Sequence, residues 1–450
     1  MTNYFGTDGV RGVANRELTP ELALNLGRAG GHLLKRKAAS EGDESAENPR
    51  IILGRDTRLS GDMLRGALGA GLNSAGIDVL DAGIVPTPAV AYLAGTKSVI
   101  GGIMISASHN PVADNGIKFF EANGYKISDD LEAEIEEKLN QNIKRAEHPF
   151  IGKYHEQADL SAPYIDNIKN AITADLSDLK VVVDCAYGAA YNLGPKIFRS
   201  FGIDLTAINN ENNGEKINHR CGATNTEQIK RTVKEENFDL GIALDGDSDR
   251  CILVDEEGRE LDGDHILCIC GLHMLSQDKL KNDRLVTTRY SNLGLQEALQ
   301  EAGGEVEIAA NGDKYVLNKM REQNLNLGGE KSGHIIFLDY NTSGDGIFTA
   351  LKVMSVMVRE QKSLKELSRQ FTPWPQLLTN IEVKHKNQWS QNDRIADTIK
   401  QAEADLEQGR VFVRASGTEP VIRVMLEGKN RNKLERWNVK LEKVIEDELN

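Results

Sequence analysis

Arg50-Ile51-Ile52-Leu53 begins the stretch that decides the fold: a β-type apolar run, a helical pattern over residues 61–74, then Gly76-Ile77-Asp78-Val79-Leu80. Strand, amphipathic helix, glycine stop and second strand together spell a βαβ unit. The pattern recurs twice. Lys180-Val181-Val182-Val183-Asp184 leads through residues 195–200 to Gly202-Ile203-Asp204-Leu205, and Arg284-Leu285-Val286-Thr287-Thr288 leads through residues 293–301 to Gly304-Glu305-Val306-Glu307-Ile308. Three widely spaced copies, alike in pattern and barely alike in identity, predict three related α/β domains with mostly parallel sheets.

The C-terminal stretch reads differently. Thr372-Pro373-Trp374-Pro375 reads as a linker, because two prolines break regular structure. Beyond it the pattern gives a helix near 394–406, strands at 409–413 and 421–427, and a charged helix over 431–448, a smaller α+β domain. The expected segments are 1–155, 156–254, 255–370 and 376–450. Residues 37–49 are polar and acidic and read as a solvated loop.

Composition narrows the function. Of 450 residues, 54 are Lys or Arg and 68 are Asp or Glu, a net charge of −14. A surface so acidic argues against nucleic acid or an anionic membrane as partner. An anionic substrate then needs a local cluster of Arg, Lys, metal or backbone N–H groups. Five cysteines with no C-x-x-C pair speak against a disulfide scaffold or a cysteine zinc site. The first residues carry no basic region followed by an apolar one, and no apolar run reaches membrane-spanning length, so a cytoplasmic location is expected.

Four polar stretches carry the chemistry. Ser106-Ala107-Ser108-His109-Asn110-Pro111 follows the apolar run 98–105, at a strand end where binding groups collect in α/β sheets. Asp245-Gly246-Asp247-Ser248-Asp249-Arg250 follows the run 238–244 and crowds three carboxylates at alternate positions. Uncompensated they would repel one another, and hard oxygen ligands suit Mg²⁺ or Ca²⁺. An EF-hand is excluded: Arg250 stands where that loop needs glycine, and Ile252-Leu253-Val254 continues as a strand. Gly328-Gly329-Glu330-Lys331-Ser332-Gly333-His334 suits a polyhydroxylated ligand, although alone it could be a solvated turn. Arg414-Ala415-Ser416-Gly417-Thr418-Glu419-Pro420, with Arg423, combines guanidinium groups, hydroxyls and a glycine turn, donors that suit phosphate. Lys118 follows Asn115-Gly116-Ile117, read as a tight turn, from which it could approach Ser108 as a proton donor or acceptor or as a charge stabiliser; His109, adjacent to Ser108, is the other candidate. Arg11, in the opening Phe5-Gly6-Thr7-Asp8-Gly9-Val10-Arg11-Gly12, is available to a phosphate.

S-A-S-H-N-P, D-G-D-S-D-R, G-G-E-K-S-G-H and R-A-S-G-T-E-P stand in the order and spacing of the α-D-phosphohexomutase superfamily, which this chain resembles over essentially its whole length. The resemblance implies four domains around a central cleft, each contributing one motif. It implies that Ser108 carries a phosphoryl group required for activity and that one Mg²⁺ per chain is held by that group with Asp245, Asp247 and Asp249. Ser108, His109, Lys118 and Arg250 form the implied catalytic set. Glu330, Ser332 and His334 would read the sugar, and Arg414, Ser416, Gly417, Thr418 and Arg423 would grip its non-reacting phosphate. The opening F-G-T-D-G-V-R-G and Arg423-Val424-Met425-Leu426-Glu427-Gly428 resemble the hexosamine-phosphate branch. That branch interconverts glucosamine 6-phosphate and glucosamine 1-phosphate through a 1,6-bisphosphate, for amino-sugar nucleotide synthesis, as a monomer or homodimer. Lys331, often Gln, and Lys314, often Arg, depart from the common pattern without loss of polarity, and mannose or glucose phosphates are the rival substrates.

Overall fold

The computed structural model describes residues 4–6, 8–139, 141, 143–157, 159–416 and 420–450. These group into two units, one comprising Met1–Tyr290 and Ala302–Gln370, the other Ser291–Glu301 and Phe371–Asn450.

In the first unit the described residues form three sheets. One contains β1 (Phe5–Gly6), β2 (Gly9–Val13), β3 (Arg50–Arg55), β4 (Asp78–Ile84), β5 (Gly101–Ile105), β6 (Asp114–Glu121) and β7 (Tyr154–Glu156), in the order β1-β2-β6-β5-β3-β4-β7. The next contains β8 (Lys180–Asp184), β9 (Asp204–Ile208), β10 (Leu240–Leu244), β11 (Cys251–Asp255) and β12 (Glu260–Leu261), ordered β12-β11-β10-β8-β9. The third, β13 (Arg284–Thr288), β14 (Glu305–Ala309), β15 (Leu327–Gly329) and β16 (Ile335–Phe337), is ordered β14-β13-β15-β16.

One four-strand kernel repeats in all three. Its second, first and third strands run parallel, and the fourth returns antiparallel beside the third: β4-β3-β5-β6, β9-β8-β10-β11 and β14-β13-β15-β16. The parallel strands are apolar on both faces because helices cover them; all of Gly101–Ile105 and Leu240–Leu244 is buried. Each polar motif of this unit occupies the same place in the kernel, the connection from third strand to fourth: residues 106–113, 245–250 and 330–334.

The second unit contains the antiparallel sheet β17 (Gln376–Glu382), β18 (Arg410–Ala415) and β19 (Val421–Glu427), ordered β17-β19-β18. The helices Asp393–Leu406 and Arg431–Leu449 pack on it around Ile395, Leu434, Leu441 and Ile445. Its motif again spans a hairpin connection, β18 to β19. The helix Leu293–Glu301, by sequence the crossover from β13 to β14, belongs to this unit. Glu427 accepts the Leu293 N–H at 2.8 Å, and Arg410 donates to the Ser291 carbonyl.

Two sequence expectations change. Asn115-Gly116-Ile117 is no turn: it lies inside β6, where Gly116 pairs with Arg11, and the chain reverses earlier, at 106–113. Residues 37–40 belong to the helix Pro20–Ser40 rather than to a loop, with Ala38 buried and Lys37 paired to Glu121 at 2.8 Å. Thr372-Pro373-Trp374-Pro375 is irregular, as its two prolines predict, and within the second unit the buried Trp374 donates its backbone N–H to Asn292 Oδ1 at 2.8 Å and its indole N–H to Glu297 at 2.9 Å. Among the described residues, no helix is long and apolar enough to cross a membrane. All five cysteines are buried thiols.

Candidate functional site

Two of the hairpin connections meet. Ser108 is fully buried, with its backbone in the left-handed region at φ 51°. Its Oγ donates to Asp245 Oδ2 at 2.7 Å and stands 3.4 Å from His109 Nδ1. Asp245, Asp247 and Asp249 are all buried, each offering a carboxylate oxygen within 4.8 Å of the others. Burial, then Asp249 and Asp247, push Asp245 up to about 8. Burial also opposes ionisation of Asp249, yet Lys118, His334 and Arg250 outweigh it and hold that carboxyl far below the usual range. Asp247 Oδ1 and Asp249 Oδ1 are buried without a hydrogen-bond partner. Three crowded hard-oxygen donors, two with orphaned acceptors, fit a divalent cation of the Mg²⁺ class, whose charge satisfies what the protein leaves open.

Lys118, on β6, reaches the same cluster. Its buried Nζ lies 2.9 Å from Asp247 Oδ2, 3.0 Å from Asp8 Oδ2 and 3.6 Å from Asp249 Oδ2. Burial would favour the neutral amine, but Asp247, Asp8 and Asp249 outweigh it and keep Lys118 a cation. His109 goes the other way: burial, then Arg250 and Arg11, push its imidazole down to about 4, so it is neutral at neutral pH.

The third connection completes the group. A cavity of about 300 Å³ is lined by His109, Asp245, Arg250, Asp262, Lys331 and Ser332, among others. Arg250 Nε stands 3.8 Å from Asp249 Oδ1. Glu330 accepts the Gly312 N–H at 3.0 Å and lies in the field of Arg250. His334 lies close behind the aspartate cluster. Its ring is buried; Nε2 accepts the Gly344 N–H at 3.2 Å, and Nδ1 faces Asp249 Oδ2 at 3.6 Å, so it backs Asp249 from behind.

In the second unit, Arg414 and Arg423 are direct cross-strand partners on β18 and β19. Two planar guanidinium groups side by side on neighbouring strands offer paired N–H donors of the kind that suits phosphate oxygens. Lys386 adds a third cation, donating to the Ser416 carbonyl at 2.7 Å. Gly417 and Thr418 lie outside the described residues.

Several contributors carry no motif of their own. Thr87 donates to Asp247 Oδ2 at 2.6 Å, and its N–H to the Asp247 carbonyl at 3.0 Å. Asp8 binds Lys118, Lys126 and Arg11, and Lys126 also binds Asp313, so a string of alternating charges runs from the buried Asp247 and Lys118 to the partly buried Asp8, Lys126 and Asp313. The one signal for Asp8 in the sequence was its place in the glycine-rich opening; Lys126 and Thr87 had none.

Residues 2–146, 162–258, 262–373 and 378–444 match, in order, the phosphoglucomutase/phosphomannomutase alpha/beta/alpha domains I, II and III and the C-terminal domain. The chain is 48% identical to the phosphoglucosamine mutase of Syntrophomonas wolfei and 49% identical to that of Natranaerobius thermophilus, each over 99% of both chains. A Burkholderia thailandensis protein of the phosphoglucomutase/phosphomannomutase family shares its fold with TM-score 0.80 at 24% identity, covering 98% of this chain and 96% of that one. The N-acetylphosphoglucosamine mutase of Aspergillus fumigatus, crystallised with GlcNAc-6P and magnesium, does so with TM-score 0.70 at 18% identity, covering 99% and 96%.

Proposed function

This chain belongs to the phosphoglucomutase/phosphomannomutase family, and we propose that it interconverts glucosamine 6-phosphate and glucosamine 1-phosphate by lending and recovering a phosphoryl group at Ser108. The observation that carries this reading is the buried Ser108 hydroxyl, 2.7 Å from a carboxylate of an aspartate triplet that keeps orphaned oxygens. The hexosamine specificity rests on the two full-length bacterial relatives, both phosphoglucosamine mutases.

Asp245, Asp247 and Asp249, with phosphorylated Ser108, would hold Mg²⁺. Bound there, the cation neutralises the oxygens of the transferring phosphoryl group. In the first half-reaction O1 of glucosamine 6-phosphate attacks the Ser108 phosphoryl group. The O1–P bond forms, the Oγ–P bond breaks, and the product is the 1,6-bisphosphate. The proton leaving the sugar hydroxyl goes to a base, and of the two candidates only His109 is neutral at neutral pH. Lys118 stays cationic and acts by charge, holding Asp247 and Asp249 in place. In the second half-reaction the bisphosphate, turned end for end, returns its 6-phosphoryl group: the Oγ–P bond forms, the O6–P bond breaks, O6 takes up the proton that Ser108 Oγ gives up, and glucosamine 1-phosphate is left.

Arg250 and Ser332 would meet the sugar from the shared cavity with Glu330, which lies in the field of Arg250, beside them, and His334 would orient Asp249. Arg414, Ser416, Gly417, Thr418 and Arg423 would grip the non-reacting phosphate, a reading supported by the cross-strand arginine pair.

The test is a rate comparison on glucosamine, glucose and mannose phosphates, with peptide mass analysis around position 108. The proposal expects the hexosamine phosphate to be preferred at least tenfold in kcat/KM and an added phosphate at Ser108. A higher kcat/KM on a hexose phosphate overturns the specificity; an active enzyme never phosphorylated at Ser108 overturns the mechanism.

A further inference from the structure

We propose that Arg58, with Asp56 and Ser106, is a positioning clamp that sets the backbone of Ser108 and so aims its Oγ at the site of phosphoryl exchange; the proposal rests on the phosphoryl-carrier reading above.

Arg58 follows β3, outside all four motifs, and its side chain is wholly buried. A guanidinium has five N–H donors in a rigid plane, and here each has an acceptor. Nε donates to Asp56 Oδ2 at 3.0 Å. Nη1 donates to the carbonyls of Pro111 at 2.6 Å and Asp114 at 2.8 Å. Nη2 donates to those of Ser108 at 3.0 Å and Asn110 at 2.8 Å. Three of the five bonds therefore end on the main chain of the serine loop and a fourth on Asp114, the first residue of β6.

The other side of Ser108 is tied to the same pair. Its N–H donates to Ser106 Oγ at 2.9 Å, and that hydroxyl donates to Asp56 Oδ2 at 2.6 Å. Asp56 Oδ1 accepts the Arg58 N–H at 2.9 Å, which fixes the carboxylate. Both peptide groups flanking the Ser108 Cα are thus held, one through Ser106 and one directly. That is what a φ of 51° requires in a residue that is not glycine: the conformation is intrinsically unfavourable and persists only where the surroundings over-determine it.

The choice of residue follows from the task. A lysine ammonium is a point donor and cannot span four carbonyls in one plane. A carboxylate or imidazole would titrate as the phosphoryl group arrives and departs, whereas a guanidinium keeps its charge throughout. A buried charge compensated by one carboxylate and a ring of carbonyl dipoles is costly to assemble for packing alone. Arg58 does not touch the reacting atoms, so its effect must pass through the loop.

The test uses the Mg²⁺-loaded full-length enzyme and the variants Arg58→Met, Arg58→Lys and Ser106→Ala. Arg58→Met is expected to lower kcat at least 100-fold with KM within threefold, and Arg58→Lys to recover less than a tenth of the wild-type rate. Ser106→Ala cuts one link of the clamp with a small change of volume, and it carries the test if the arginine variants do not fold. It should lower kcat about tenfold. In each folded variant the amides of residues 106–114 should exchange hydrogen at least tenfold faster, with those of β3 and β5 unchanged. A folded variant with kcat within twofold of wild type, or with unaltered exchange over 106–114, overturns the clamp. Failure of the wild-type enzyme to turn over glucosamine phosphates would instead sink the functional reading and leave the exchange result to judge the clamp alone.

Discussion

A methyl group at Gly246 has no room. An ideal Cβ there would lie 2.6 Å from the Ser108 carbonyl oxygen, 2.8 Å from Asn218 Nδ2 and 3.0 Å from Ile217 Cδ1. Carbon–oxygen contacts settle at roughly 3.3 Å or more, so Gly246→Ala must separate the aspartate loop from the serine loop by about 0.7 Å. The loop cannot yield backwards, because Gly188 is itself so close that a Cβ there would stand 2.4 Å from the Gly246 carbonyl oxygen. The φ of Gly246 is not in the left-handed region, so alanine brings no backbone strain and the effect is steric alone. The hydrogen bond from Ser108 Oγ to Asp245, now 2.7 Å, takes up the separation. Misplacement by about 1 Å costs up to about 100-fold in rate, so kcat should fall between about 10- and 100-fold. Overpacking should cost a further ~1–3 kcal/mol of stability. Steady-state formation of glucosamine 1-phosphate measures the first, and thermal unfolding followed by circular dichroism the second. All three carboxylates and Ser108 survive in this variant. A folded Gly246→Ala enzyme with kcat within threefold of wild type would therefore refute the claim that the spacing of these two loops governs transfer.

Ser108→Ala should abolish turnover and leave the unfolding transition intact; appreciable mutase activity in that variant disproves the carrier role. Asp247→Ala removes one of the two carboxylates with an orphaned oxygen, and the activity should require at least tenfold more Mg²⁺ for half-saturation, read from a metal titration of rate. Asp345 bears on stability: burial, against hydrogen bonds from Phe348, Tyr164 and Asn341, raises its carboxyl from 3.8 to about 6. The folded state therefore holds the proton more tightly than the unfolded one, and stability falls as pH rises from about 4 through about 6, by up to ~3 kcal/mol. Asp345→Asn keeps an acceptor for the Phe348 N–H at the N-cap of the helix Gly346–Glu360, so its Tm relative to wild type should climb between pH 4.5 and pH 7.5; a constant difference would show that Asp345 does not titrate in that window.

What could be read from residues alone has a physical boundary. The parallel strands were legible because burial on both faces demands apolar runs, and Lys180–Asp184 and Arg284–Thr288 fall where those runs stand. The four loops were legible because crowded carboxylates, arginines or glycines are costly without a ligand. The antiparallel fourth strand of each kernel was harder. In β6, Asp114-Asn115-Gly116 imitates a turn, and only its pairing to β2 and β5 makes it a strand, because the close approach of Gly116 to the Ser106 carbonyl (2.5 Å from a Cβ placed there) leaves no room for a side chain. Distant partners leave still less trace. Thr87 reaches Asp247 across 160 residues of chain and carries no local signature, since a threonine at a helix start is ordinary there; Lys118, which does so across 129, stood out only through its nearness to the serine loop and to a turn that is in fact strand. Arg58 is the sharpest case. Asp56-Thr57-Arg58 looks like a polar strand end, and its meaning lies in five acceptors spread over residues 56–114, brought around one guanidinium by the pairing of β3 with β5. Chemistry concentrated in one loop leaves its mark in composition. Chemistry that only holds such a loop in place is spread over several strand ends, and becomes visible when the sheet has set their order.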